Sequence, residues 1–405
     1  MSHKRFSPVA LITVLLALEV SGCGGSASIV QSPARLVPPT RLAMQSGTVI
    51  DGAATQIAST VSTLGPAIVL GTDANGLNAL WIGSQEKFFY TNLASATLTT
   101  ANYDFAIGTY QSGSFLWAYR LGQSVIPVPN ETLAAVSKSS DVFLDLGLEA
   151  DQTTPYANLL KVRGGKLERT PYILPSLDYS TYFVNGVCIN SSGTAIIDAF
   201  TFIVSAKTRG HRGFASRAAL LKATHPPLKG SPAERLAQLK ARVHPTTTSS
   251  SPTGYYLLSP SHDPIALAMP NDGLAVTVYA INDQGVSVGV AFVGNPNDPA
   301  VLPYYWDAQG NPYPLQLSGD LSGGYAYDIN NAGTVVGEVG NAITSYGAMW
   351  NAVDGTPTNI NNLLPVGFTY NVQALLSIGN DFNMSAVGNP LANTSLTQYF
   401  GLRPY

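Results

Sequence analysis

Short apolar runs with a period of two recur along this chain. Clusters of Gly, Asn, Asp, Ser and Pro punctuate them, and a helical period is rare. The phrase AINDQGVSVGVAF starts at Ala280, and DINNAGTVVGEVG starts at Asp328. Their shared core, Ile-Asn-x-x-Gly-x-x-Val-Gly, carries Asn282, Gly285 and Gly289 in one copy and Asn330, Gly333 and Gly337 in the other. Each copy reads as a strand, a tight turn and an alternating return strand. Gly285 and Gly333 take the left-handed conformation that closes the turn. The Asn side chain is suited to bond the turn backbone. LPYYW and PYPLQL then supply a third and a fourth strand in one unit, and YGAMW and TPTNINNLL do so in the next.

Four short antiparallel strands in about 48 residues are the mark of a propeller blade. The four tryptophans test this reading. Trp81, Trp117, Trp306 and Trp350 stand in NALWIG, SFLWAY, PYYWDA and GAMWNA, each at the end of an expected third strand. ANLLKVRGGKLE, GYYLLSPSHDP and the terminal TQYFGLRPY keep the same frame without Trp. The second-strand phrase recurs in decayed form. In GNDFNMSAVG, Asn383 stands in for the turn glycine.

The expected fold is therefore all-β: a β-propeller of four-stranded antiparallel blades, seven by this count, with six or eight left open. The last unit stops at its third strand, so residues 41–59 are expected to supply the missing one. A pair of β-sandwiches also has short strands, but it gives no reason for one shared Trp position. A residue repeated in every blade serves what is repeated in every blade. Packing between blades is thus preferred for the tryptophans over stacking on a sugar or a quinone.

Composition adds an address. MSHKR followed by VALITVLLAL has the build of an export signal, with an apolar core too short to span a bilayer. Val20-Ser21-Gly22-Cys23 resembles the lipobox of bacterial lipoproteins. The resemblance implies that Cys23 is the lipid-modified first residue of the mature chain. Residues 1–22 would be the signal, residues 23–45 a tether, and residues 46–405 the propeller. Gly24 and Gly25 resemble outer-membrane sorting if the cell is Gram-negative. The alternative is a soluble secreted protein with an incidental cysteine.

The repeated hairpin followed by a strand such as GSFLW, Gly113 to Trp117, resembles the bacterial extracellular repeats named after His-Ala-Phe. The literal triplet is absent. The resemblance implies an envelope or extracellular location and a propeller-like fold, and it carries no catalytic residues.

Charge is segregated. Only 11% of residues are charged, against a typical quarter. Residues 206–252 interrupt the repeats between the fourth and fifth units. They hold Lys207, Arg209, Arg212, Arg217, Lys222, Lys229, Arg235, Lys240 and Arg242 against a single acid, Glu234. The rest of the chain after Cys23 keeps ten basic and 22 acidic residues. SPAERLAQLKARV reads as a short helix capped by Ser231, with Pro232 in the first turn and Glu234 closing a capping box. GFASRAALLKA is a weaker helix. The segment is either a surface insertion that contacts nothing specific or contacts only its own acidic scaffold, or it is a basic arm. The arm's partner would be an anionic glycan, a lipid headgroup or a protein; nucleic acid is not expected.

Signatures of chemistry are sparse. No His pair has metal-ligand spacing, no Cys-x-x-Cys occurs, and neither a nucleophile elbow nor a phosphate loop appears. No metal or cofactor is expected. Cys188 lies on an apolar strand and reads as a small hydrophobe. Asp283 sits in a turn that faintly resembles a calcium loop but lacks the further ligands. Asp104, Asp145, Asp198 and Asp328 fall near strand ends, where a propeller can gather single residues from several blades.

The leading reading is a lipid-anchored envelope propeller that binds or scaffolds without catalysis. A carbohydrate-active enzyme with carboxylates converging in the funnel, and a purely structural surface protein, stand as alternatives. Blades lean only on their neighbours, so deleting Lys207 to Ser250 is expected to leave a single cooperative unfolding transition. A broadened or split urea transition in the deletion would contradict that.

Overall fold

The computed structural model describes residues 44–49, 64–65, 68–72, 78–82, 85–88, 96–102, 104–119, 124–129, 131–138, 141–149, 154–163, 166–178, 182–201, 254–341, 343–353, 355–392 and 398–404. Cys23, the expected tether up to residue 43, and the basic segment with its expected helices lie outside them. All the described residues belong to one compact unit, Val37–Tyr405.

Seven four-stranded antiparallel sheets follow one another. Six take their strands in sequence order. Their first strands are Leu64–Gly65, Thr97–Ala101, Thr132–Val136, Tyr182–Ile189, Gly273–Ile281 and Gly323–Ile329. The seventh blade is built from Tyr370–Ile378, Met384–Pro390 and Gln398–Pro404, with Met44–Val49 added as its fourth strand. Val49 pairs with Phe400 and Thr48 with Gly401, so the N-terminal strand closes the ring. It begins two residues inside the stretch expected to be tether. First strands of successive blades touch each other, which puts them on the inside of the ring around its axis.

Two details of the expected organisation change. The basic segment does not separate the fourth and fifth blades. It lies inside the fourth, between its second strand Ala195–Thr201 and its third strand Tyr255–Ser259. The physical reason is that a two-to-three loop is free to lengthen while the flanking strands still pair. The fourth strand of blade six, expected over TPTNINNLL, is only Thr358–Asn359. The Asn359 side chain accepts from the Asn361 N–H and turns the chain into a 3-10 helix, Ile360–Asn362.

A bulge recurs in the first strand of blades two to seven. It falls between Leu98 and Thr100, Leu133 and Ala135, Gly186 and Cys188, Val278 and Ala280, Ala326 and Asp328, and Val372 and Ala374. This explains the second glycine of the repeated phrase. A Cβ on Gly289 would collide with the carbonyl oxygen of Thr277, one on Gly337 with that of Tyr325, and one on Gly388 with that of Asn371. The bulged strand presses its backbone onto the second strand there, and only glycine leaves the room.

The first glycine has the other reason. Gly285 and Gly333 both have φ of 80°. In blade seven the left-handed residue is Phe382, with φ of 61°, and not Asn383 as the sequence suggests. The Phe382 N–H donates to Gly379 O as the Gly285 N–H does to Asn282 O. Phe382 is half-buried against the cluster of Val372, Leu375 and Met384, and that contact offsets the cost of its backbone.

The core is a series of separate interfaces, each shared by two successive blades. Leu80 packs with Phe115 and Trp117, Ile107 with Leu133 and Phe143, and Leu144 with Val184 and Ile197. Leu257 packs with Val278 and Trp306, Val288 with Ala326 and Trp350, and Met349 with Leu375. Gly337→Ala is expected to lower stability by about 1–3 kcal/mol through overpacking against the bulge. Gly294→Ala, at a φ of 88° with nothing within 4 Å, should cost about 1 kcal/mol from backbone strain alone. Urea midpoints compare the two, and equal losses would argue against the close approach.

Candidate functional site

The end of the ring that carries the first hairpin turns gathers the repeated polar residues. Asn282 Oδ1 accepts from the N–H groups of Gln284 and Val286 at 3.1 and 3.0 Å, which closes its own turn. Its Nδ2 donates to the carbonyl of Asn330 in the next blade at 3.2 Å. The same relay runs from Asn190 to Asn282 O at 2.9 Å, from Asn330 to Gly379 O at 3.3 Å, and from Asn102 to Ser137 O at 2.8 Å. A second tier lies one residue on. The N–H of Ser191 donates to Asp283 Oδ1, that of Asp283 to Asn331 Oδ1, and that of Asn331 to Asn380 Oδ1, all at 2.8–2.9 Å. Asp283 thus spends both oxygens on neighbouring turns, since Oδ2 accepts from Asn331 Nδ2.

The tryptophans work at the same interfaces. Trp306 and Trp350 are wholly buried, and each indole N–H donates to a carbonyl just past the fourth strand of the preceding blade. These are Ala268 O and Gln316 O, both at 2.9 Å. Trp117 is buried beside Tyr119 between blades one and two. Trp81 pairs with Val69 in blade one, and its side chain lies outside those described.

Among the described residues, a contact between Lys138 and Asp328 crosses the axis. Lys138, at the end of the first strand of blade three, donates its ammonium to the carboxylate of Asp328 and, at 2.6 Å, to Ile329 O in blade six. The Asp328 oxygens also accept from the backbone N–H of Ile329 and from that of Ile378 in blade seven, both at 2.9 Å. Three blades therefore meet on one carboxylate. Burial pushes its pKa up, and the Lys138 ammonium and the two N–H groups work against that rise. Nothing in the repeat pattern announced this pair, because Lys138 and Asp328 stand in units that do not adjoin.

A tyrosine patch lies beside it. The bulged residues Tyr279 and Tyr327 have ring centroids 5.6 Å apart, and Tyr325 stacks on Tyr327 at the same separation. Both bulged rings are half-buried on first strands. Tyr at the third position before the repeated Asn was visible just ahead of both copies of the phrase, but its packing with Val290 and Val301 between blades five and six was not.

The other acids are not brought together. Asp104 is exposed in the first turn of blade two. Asp145 is fully buried on the second strand of blade three, on the face turned to blade two. Its Oδ2 accepts from Asn158 Nδ2 at 3.1 Å, while Oδ1 has no partner. Burial pushes its pKa up to about 7. Tyr156, on the neighbouring strand, is pushed up to about 12 by burial and by Asp145. Asp198 is also raised to about 7 by burial, and it sits on the second strand of blade four. These carboxyls belong to different interfaces, so their arrangement offers isolated protonatable groups and not an acid–base pair across one bond. Cys188 is half-buried against the Trp306 cluster, and His262 is exposed. Among the described residues no three His, Cys, Asp or Glu are grouped to hold a metal ion, and no helix is long and apolar enough to cross a membrane.

No family model and no curated protein matches the chain. Solved structures similar to it are propeller-containing proteins at low identity. The β-propeller domain of the Trilobed protease from Pyrococcus furiosus is 9% identical, with 84% of this chain and 95% of that one covered and a TM-score of 0.42. An acylaminoacyl peptidase from Pyrococcus horikoshii is 10% identical, with 84% and 49% covered and a TM-score of 0.41, so the chain spans about half of its length. TolB from Acinetobacter baumannii is 11% identical, with 84% and 62% covered and a TM-score of 0.35. The propeller assignment stands on the seven sheets themselves.

Losing Lys138 would leave a buried carboxylate without its ammonium, and Lys138→Met is expected to cost about 3 kcal/mol. Adding Asp328→Asn removes the stranded charge and keeps an acceptor for one backbone N–H, so the double variant should regain at least half of the loss. Equal urea midpoints for the single and double variants would exclude a tie across the axis.

Proposed function

We propose that this chain is a lipid-anchored cell-envelope propeller that binds or scaffolds, held at the membrane through Cys23. The basic residues of 206–252 serve as its charged contact element toward an anionic surface. The observation that carries the reading is where the repeat's chemistry goes. The asparagines, the second-tier acid Asp283 and the indoles are spent on joining blade to blade, and the axial carboxylate of Asp328 is tied to Lys138. A ring held that way is a rigid frame, and frames of this kind present loops for contact. The lipobox-like Val20-Ser21-Gly22-Cys23 and the resemblance to His-Ala-Phe-type repeats support an exported location for that frame. Two or three acyl chains on one cysteine anchor stably where one is marginal.

Metabolic labelling with a palmitate analogue tests the anchor. The full chain is expected to take up label and to sediment with membranes, and Cys23→Ser is expected to lose both. A Cys23→Ser chain that still carries label or still sediments through its N-terminus would overturn the anchoring.

A further inference from the structure

Each first strand ends at its hairpin turn, so the second-to-third loops and the links between blades all lie at the other end of the ring. Seven large apolar side chains are exposed among the described residues, and six of them stand at that other end: Ile173, Met269, Leu274, Ile343, Val366 and Leu391. Ile173 follows the fourth strand of blade three, and Met269 and Leu274 flank the link into blade five. Ile343 tips the second-to-third loop of blade six. Val366 is fully exposed in the link into blade seven, and the Leu391 N–H bonds that link at Thr369 O. The seventh, Tyr313, sits on a fourth strand. Water-exposed apolar tips concentrated at one end mark a contact surface.

Acids predominate at this end, where the one arginine within reach among the described residues, Arg169 of blade three, is bonded to Glu131. Asp272, Asp298 and Asp320 are exposed in the same loops and links, joined by Glu149 and Asp178 from blade three. The described residues of these loops contain no Lys or Arg. The opposite end mixes the two signs, with Lys161, Arg163 and Lys166 beside Asp104, Asp263, Asp283, Asp307 and Asp381.

The described chain of blade four stops at Thr201 and resumes at Gly254, with residues 202–253 between them. Both points belong to a second-to-third loop, so they lie at the apolar, acidic end. The segment carries nine Lys and Arg against Glu234, with Leu220, Leu221, Leu236 and Leu239 among them. Anchored at both ends, its 52 residues could reach up to about 85 Å at full stretch, enough to pass across the ring.

We infer that residues 206–252 dock on this end of their own ring, their leucines against the exposed apolar tips and their cations against the loop acids. The inference deepens the proposed function by naming the anionic surface that the basic segment meets, and it takes from that reading only that the segment is a contact element. An anionic membrane fits this end less well, because the loop acids repel it. Apolar contact supplies the affinity and charge supplies the register, so the contact weakens with salt without vanishing.

The test uses the full chain carrying Cys23→Ser, which removes the lipid question. Zero-length carbodiimide coupling at low salt is expected to join Lys207, Lys222, Lys229 or Lys240 to Asp272, Asp298 or Asp320 within one molecule, as read by peptide mass spectrometry. Trypsin should cut the segment at least about fivefold more slowly than in the Ile343→Lys, Val366→Lys, Leu391→Lys variant, a factor worth about 1 kcal/mol. All three positions are exposed, so the variant keeps the fold, and a far-UV spectrum and urea midpoint verify that. Absence of the couplings, or equal cleavage rates, overturns the docking. Couplings found only between molecules assign the end to a second copy instead. Protection that appears only on adding vesicles of phosphatidylglycerol assigns it to a membrane, which overturns the docking and leaves the segment a contact element.

Discussion

A four-stranded blade has two apolar faces, and only its neighbours can cover them. Everything else in the ring answers to that constraint. Each buried cluster is shared by two successive blades, and the largest side chains, Trp306 and Trp350, sit at such interfaces. Burying them is worth roughly 25 cal/mol per Å² of apolar area, and that area exists only once the next blade is in place. The polar groups follow the same logic. An indole N–H or a turn amide buried between sheets needs a partner, and the carbonyl of the adjoining blade is the one within reach.

The circumferential order has two limits. The ring must close, and it does so by pairing Met44–Val49 with Gln398–Pro404, which makes the last blade depend on both ends of the chain. The ring must also hold its bore, and neighbour contacts alone do not set that. The Lys138–Asp328 tie joins blades three and six, and Ile378 brings in blade seven. A charge pair inside a narrow axis is worth most where water is excluded, and it costs most when one member is lost.

Function divides between the two ends of the ring. At the turn end the repeated asparagines and Asp283 are committed to holding blades together. At the loop end exposed apolar tips and acids share the end of the ring that holds Thr201 and Gly254, the residues flanking the basic segment. The carboxyls of buried Asp145 and half-buried Asp198, both raised to about 7, lie on different blades and are not brought together.

Much of the fold was legible because it repeats. The period of two, the turn glycines and the shared Trp position are local features, and a strand or a hairpin is decided within ten residues. Residues 41–59 as the source of the closing strand followed from a unit that stopped one strand short. Other features needed the coordinates. The second repeated glycine, Gly289 or Gly337, is required by a carbonyl of the bulged first strand, and in a strand as uniformly apolar as Gly273–Ile281 the one-residue phase shift of a bulge does not show. Phe382 in place of a turn glycine was hidden because its cost is offset by packing against a cluster from elsewhere in the chain. Lys138 and Asp328 stand 190 positions apart. By itself, then, the sequence determined the blades and favoured seven of them, since local pattern specifies each hairpin; the seven sheets fixed the count. Which side chains meet across the axis, and which end is left apolar and acidic, was decided only when seven sheets were bent into one ring, because those contacts join segments with no relation along the chain.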